Sequence, residues 1–125
     1  MNEKRETGRK IMREVLGEDY FQRREASTNS FNAPLRQLSE EMAFGTIWSR
    51  PGIPRKYRSL LCLAMLTALN RPHEIRIHTN SALNNGCTVE EIQEVLLQAT
   101  VYSGVPAGVD AFRAAEEVLK ERGKL

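Results

Sequence analysis

The chain has 125 residues, with 18 Lys and Arg against 16 Asp and Glu, and this length predicts one domain with its own core. We assign it to residues 1–125, with 1–31 as an N-terminal helical extension. Both charge signs are interleaved, which argues against a broad basic surface for nucleic acid. No secretion signal is evident, and the most apolar run, Leu60 to Leu69, has half of the roughly 20 residues that span a bilayer. We expect a cytoplasmic protein without a membrane segment.

The first half of the chain predicts amphipathic helices and no strands. No run alternates β-branched and polar residues, so we expect an all-α fold. A helix is predicted from about Thr7 to Gly17, and Tyr20-Phe21 begins another turn or two. Ser30 to Pro34 then supply a cap and an early proline for a further helix. Its predicted apolar side carries Leu35, Leu38, Met42 and Phe44.

The helix that follows the proline- and glycine-rich segment Ser49 to Pro54 is the most apolar in the chain. Its residues Arg58 to Leu69 are apolar around the whole circumference, which a surface helix of a small monomer does not tolerate. We therefore expect this helix to be central or covered by a partner chain. Cys62 within it is predicted to be a buried small hydrophobe, whereas Cys87, beside a later helix start, is expected to be more exposed. The two cysteines form no Cys-x-x-Cys pair or disulfide framework.

The second half of the chain has clear helix boundaries. Asn70-Arg71-Pro72 ends one helix and starts the next, which Asn84-Asn85-Gly86 closes. Thr88 and Glu91 form a predicted capping box ahead of a helix that continues to Tyr102. Ser103 to Pro106 interrupt the chain before a last helix that runs to Gly123.

The segment Arg71 to His78 carries the strongest chemical signal. Glu74 and His78 are four residues apart, so on a helix the carboxylate can touch and orient the imidazole, and an oriented histidine is a candidate for proton transfer. The alternative is an inert surface pair. A zinc site is rejected, because His73 and His78 are five residues apart, roughly 140° around the helix, and no third ligand set is apparent.

A second group of residues predicts an anion pocket. Arginine binds carboxylates bidentately, and aromatic walls exclude water from an organic ring, so the group suits a small cyclic anion. The alternative is a solvated basic loop with two aromatic anchors in the core. The group comprises Arg50, Arg55, Lys56 and Arg58 with Trp48 and Tyr57 beside them, and Arg71 and Arg76 near His78.

In combination, these segments resemble the carboxymuconolactone decarboxylase family, part of the alkylhydroperoxidase D-like superfamily. The resemblance runs from about Ala33 to Phe112. It is carried by Trp48 to Gly52, Arg58 to Leu60, Arg71 to His78, Gly86 to Val95 and Tyr102 to Ala107. It implies an all-helical fold whose central helix hairpin packs between protomers, usually in trimers or hexamers. In the peroxidase-type branch a Cys-x-x-Cys pair precedes the histidine, but here Arg71 and Glu74 occupy those positions, so dithiol peroxide reduction is excluded at this site.

The resemblance to the decarboxylase branch implies a lyase of aromatic (protocatechuate) breakdown that acts on 4-carboxymuconolactone, a small cyclic dianion, without a cofactor. His78 is then the proton donor or the oxyanion partner, and Glu74 orients it, or the two roles are reversed. Arg50, Arg58 and Arg71 become candidate carboxylate or oxyanion ligands, and Trp48 and Tyr102 wall the pocket. The alternatives are an enzyme of the same fold with another substrate or a redox-related role, and a non-catalytic oligomeric binding protein.

Overall fold

A computed structural model describes all 125 residues. They form seven α-helices and one π-helix with no strand, which confirms the all-α prediction. The backbone divides into two compact units, Met1–Pro54 and Arg55–Leu125. A single domain over residues 1–125 stays a prediction. None of the helices has the length and apolarity that a membrane span requires.

The first unit contains α1 (Glu3–Leu16), α2 (Glu18–Ala26), α3 (Ala33–Ser39) and a π-helix (Glu40–Ile47). Helix α1 begins earlier than predicted, because the Asn2 side chain accepts a hydrogen bond from the backbone N–H of Arg5 at 2.8 Å and so caps the first turn. The predicted third helix does not continue in α-helical form beyond Ser39. From Glu40 its hydrogen bonds span five residues, and the last of them joins the Trp48 N–H to the Ala43 carbonyl at 2.8 Å.

Helix α1 and the π-helix touch backbone to backbone. A Cβ atom on Gly8 would clash with the Glu40 carbonyl, and one on Gly45 would clash with the Lys4 carbonyl, so this approach requires glycine on both sides. Of the predicted apolar side of the third helix only Phe44 is buried. Its other members are at least half exposed: Leu35, Leu38 and Met42.

The second unit contains α4 (Arg55–Ala68), α5 (Pro72–Asn84), α6 (Val89–Ser103) and α7 (Val105–Glu121). The capping box at the start of α6 is confirmed: the Glu91 N–H donates to Thr88 Oγ1 at 3.0 Å, and the Thr88 N–H donates to Glu91 Oε1 at 2.8 Å. All four helices contribute to one apolar core, which includes Leu63, Ile75, Ala82, Ile92, Leu96, Ala111 and Ala115.

Helices α4 and α5 form an antiparallel hairpin. The Asn85 side-chain amide donates to Ser59 Oγ at 2.9 Å, which ties the end of α5 to the start of α4. Leu63 is buried, whereas Leu61 and Met65 are about half exposed, so this chain covers α4 on one side only. Cys87 is buried, so the prediction that it is the more exposed cysteine was wrong, and Cys62 is only partly buried.

Candidate active site on helix α5

Glu74 and His78 both lie on α5, one turn apart, as the sequence predicts. Pro72 starts the helix and Arg71 is its N-cap residue, so Glu74 belongs to the first turn. A carboxylate is favoured there by the partial positive charge of a helix N-terminus. Local sequence therefore fixes the positions of both groups along the helix.

The His78 ring is mostly buried, and this environment sets its charge state. Burial lowers the pKa of the imidazole below its ordinary value of 6.5, and the negative charge of Glu74 opposes the shift without cancelling it. The interaction between the two groups is electrostatic, with no hydrogen bond from the ring to the carboxylate. His78 is therefore predominantly neutral at pH 7 in the free protein, and an added negative charge nearby would favour its protonation.

Ser81 extends this pair into a stripe of three polar groups. It lies three residues after His78 and seven after Glu74, so the three side chains follow one face of α5. The Ser81 side chain is fully buried, and Ser81 Oγ and His78 Nδ1 are both buried polar atoms without a hydrogen-bond partner in the chain. Sequence reasoning missed Ser81, although its spacing from Glu74 and His78 was readable.

The structure does not place Arg58 and Arg71 together. Arg58 is in the first turn of α4, whereas Arg71 follows the end of that helix. The helix rises by roughly 15 Å from Arg58 to its end at Ala68, at 1.5 Å per residue. One small ligand contacts both arginines of one chain only if both side chains extend along the hairpin.

Cys62 lies one turn after Arg58 on α4 and is not activated as a nucleophile. Burial raises the pKa of its thiol, and the nearby Arg58 charge only partly offsets that effect. Because the thiolate is the reactive form, this environment favours an inert cysteine.

Tyr102 lies near the end of α6, where it is 84% exposed. It borders an open groove of about 550 Å³ between α4 and α6 that Glu74 and His78 do not line. Apart from Gln98 and Ser103, the groove is lined by apolar and tyrosine side chains: Tyr57, Leu60, Leu61, Ala64, Met65, Ala68, Val95, Ala99 and Tyr102.

Trp48 and Arg50 belong to the first unit, directly after the π-helix. Trp48 is buried and stacks on Phe44 with ring centroids 5.8 Å apart, while Arg50 is exposed. No three His, Cys, Asp or Glu side chains gather closely enough to hold a metal ion. The assignment of substrate-binding roles to Trp48, Arg50, Arg58, Arg71 and Tyr102 stays a prediction.

Comparisons with known proteins agree with the sequence resemblance. The model of the carboxymuconolactone decarboxylase family matches residues 33–117. A 4-carboxymuconolactone decarboxylase of Acinetobacter baylyi is 41% identical over 116 residues, which cover 93% of this chain and 87% of the relative. A nitrosuccinic acid decarboxylase of Metarhizium robertsii is 37% identical over 114 residues, which cover 91% of this chain and 80% of the relative. The protein belongs to the carboxymuconolactone decarboxylase family.

Proposed function

We propose that the protein is a decarboxylase that acts, without a cofactor, on 4-carboxymuconolactone or a closely related small dianion. The observation that carries the proposal is the stripe on α5, where a buried, neutral imidazole stands one turn from a carboxylate. The high coverage of the two decarboxylase relatives supports the reaction class. The Glu74 and His78 roles are assigned by their chemistry.

The reaction breaks one carbon–carbon bond and consumes one proton. As carbon dioxide leaves, the bonding electron pair passes into the conjugated lactone, whose carbonyl oxygen becomes an enolate. A proton then adds to carbon, which gives the enol-lactone. The substrate is its own electron sink, so the enzyme has to bind the dianion, stabilise the enolate oxygen and deliver the proton.

We assign proton delivery to His78. The free imidazole is neutral because burial lowers its pKa, but a bound dianion favours the protonated form by charge attraction. The ring thus takes up a proton from water as substrate binds and transfers it to carbon after carbon dioxide leaves. Glu74 favours the protonated ring in the same sense, and Arg58 and Arg71 are the candidate ligands of the substrate carboxylates.

The first test is turnover by the purified protein. We expect 4-carboxymuconolactone to release one carbon dioxide per enol-lactone formed, measured by carbon dioxide capture and by the ultraviolet absorbance of the product. Added chelator should leave the rate unchanged. Absence of turnover with this substrate at millimolar concentration would refute the lactone assignment.

A second substrate class follows from the nitrosuccinic acid decarboxylase relative. Nitrosuccinate is also a dicarboxylate, and its nitro group can accept the electron pair as a nitronate in place of the enolate. Both substrates thus pair two carboxylates with an electron acceptor next to the carbon that loses carbon dioxide. Assay of the two compounds side by side separates the candidates, since the preferred one should have the higher kcat/KM.

We further propose that the protein is a homo-oligomer, a trimer or a hexamer, and that it is cytoplasmic. Support for the oligomer comes from an apolar stripe at four-residue spacing along α4 and just beyond it. Its side chains are 51–63% exposed: Tyr57, Leu61, Met65 and Leu69. A surface helix with this stripe uncovered is unfavourable in a small monomer.

Introducing a charge into that stripe should break the assembly. We expect Met65→Glu to shift the mass from light scattering toward the monomer, because a buried, unpaired carboxylate in an interface is strongly disfavoured. Gln93→Glu adds the same charge at an exposed position of α6 and should leave the mass unchanged. A wild-type protein that is monomeric at micromolar concentration would contradict the proposal.

A further inference from the structure

Two buried polar atoms on α5 have no hydrogen-bond partner in the chain, His78 Nδ1 and Ser81 Oγ. An unpaired buried polar group is costly, so two of them on one face of one helix call for an explanation. The proposed reaction uses His78 but assigns no task to Ser81.

Ser81 differs from the other buried hydroxyl groups of the chain. The hydroxyls of Thr67 and Thr79 each donate to the carbonyl four residues earlier at 2.7 Å, and Ser59 accepts a hydrogen bond from Asn85. Ser81 alone among the buried serines and threonines makes no such bond. Its hydroxyl is therefore not bonded to a backbone carbonyl of its own helix or to a side chain of another helix.

The two side chains lie close to each other, although the two atoms make no direct hydrogen bond. Side chains three residues apart on a helix have Cβ atoms about 5–6 Å apart, a separation that one bridging water can span. A buried water needs at least two polar partners, and these two atoms supply them.

We infer that Ser81 is a positioning residue for His78: one bridging water accepts the Nδ1–H of the imidazole and donates to the Ser81 hydroxyl oxygen, which leaves Nε2 free to take up and deliver the proton. The nitrogen that performs chemistry in a catalytic histidine is set by the hydrogen bond of the other nitrogen. The inference rests on the proposed function for the direction of this bond. It adds a residue to the site that is neither acid, base nor substrate ligand.

The tautomer of His78 can be read directly by NMR, because the chain has only two histidines. In protein labelled with ¹⁵N-histidine and carrying His73→Gln, one imidazole remains. At a pH where the ring is neutral, we expect the proton on Nδ1 and an unprotonated Nε2. Ser81→Ala should shift the population toward the Nε2–H tautomer, because the water that accepts the Nδ1–H loses its second partner.

The matched control is Thr79→Val on the same helix. It removes a buried hydroxyl that is bonded to its own helix, and it should leave the His78 signals in place. Ser81→Cys replaces the hydroxyl by a slightly larger thiol that is a weaker acceptor, and the tautomer population should fall between wild type and Ser81→Ala. A wild-type ring that is protonated on Nε2, or signals that do not respond to Ser81→Ala, would overturn the inference.

Kinetics give a second readout. We expect Ser81→Ala to lower kcat about tenfold with KM within about twofold, since a misoriented acid affects proton transfer more than substrate binding. Equal losses in Thr79→Val would indicate a packing effect and contradict the assigned role. If the lactone is not turned over at all, the proposed function fails, but the NMR experiment still decides the Ser81 inference.

Discussion

Replacement of His78 by glutamine is expected to lower kcat for decarboxylation by about 10²- to 10⁴-fold, the range that a positioned general acid contributes. Glutamine retains hydrogen-bonding groups but cannot carry a transferable proton near neutral pH. KM should change less than kcat, because the substrate carboxylates are assigned mainly to arginines and the imidazole contributes to binding only when it is protonated. Stopped-flow or steady-state assays of enol-lactone formation measure both constants.

The pH dependence of the same variant should differ from that of the wild type. Because burial lowers the pKa of His78 in the free protein, the protonated ring is present at low pH and is lost as pH rises through a value below 6.5. Wild-type kcat/KM, which reports the free enzyme, should therefore fall with rising pH across that range. The corresponding fall in kcat should occur at higher pH than the fall in kcat/KM, since the bound dianion favours the protonated ring. His78→Gln should remove both falls.

His73→Gln is the control for that experiment, since His73 is exposed in the first turn of the same helix. It should retain the wild-type rate and pH profile. Wild-type kcat/KM that rises through the His78 pKa would show that the neutral imidazole is the active form and would reassign His78 to hydrogen bonding of the enolate oxygen. A rate retained in His78→Gln would contradict either role.

Local sequence determined the features of the fold that were predicted correctly. The break at Asn70 to Pro72, the capping box of Thr88 and Glu91, and the helix interruption at Gly104 each depend on a few neighbouring residues. For the same reason the positions of Glu74 and His78 on one helix face were predictable. Family resemblance then supplied the reaction class that spacing alone left open.

The features that were missed depend on contacts between distant residues. The π-helix follows an apparently regular helical pattern, and nothing near Glu40 in sequence signals that its carboxylate is buried. The partners of that carboxylate are 16 to 35 residues away: Arg5, Arg9 and Arg24. At the site, the length of α4 places Arg58 and Arg71 at opposite ends of the hairpin. The absence of a hydrogen-bond partner for Ser81 Oγ depends on packing that a single sequence does not reveal.

Glu40 is a buried carboxylate bound by three arginines, and its loss should destabilise the protein. Its side chain is 1% exposed and accepts hydrogen bonds from Arg5 at 2.9 Å, Arg9 at 3.1 Å and Arg24 at 3.2 Å. Removing one partner of a buried ion pair costs about 3–5 kcal/mol, because the remaining charges stay buried. We expect Glu40→Gln to lower the free energy of unfolding by an amount toward the lower end of that range, since Arg24 is nearly buried whereas Arg5 and Arg9 are partly exposed and Arg9 also pairs with Glu25.

Trp48 provides the measurement, because it is the only tryptophan and follows the π-helix that Glu40 begins. Urea unfolding followed by its fluorescence should show an earlier midpoint for Glu40→Gln. Glu41→Gln is the matched control: the neighbouring carboxylate contacts Asn2 and Gln37 in an exposed setting, and its loss should change the midpoint much less.

The dependence on pH separates loss of charge from loss of packing. Burial alone would raise the pKa of Glu40, but the hydrogen bonds from Arg5, Arg9 and Arg24 outweigh it and hold the pKa below the ordinary value of 4.5. The stabilisation is thus complete above pH 4.5 and is lost as pH falls through the lower folded-state pKa. The difference in urea midpoint between wild type and Glu40→Gln should therefore become smaller at acid pH. A midpoint difference that does not change with pH would show that the destabilisation comes from packing of the amide rather than from loss of charge. Equal midpoints for Glu40→Gln and Glu41→Gln would show that the arginine cluster does not depend on Glu40.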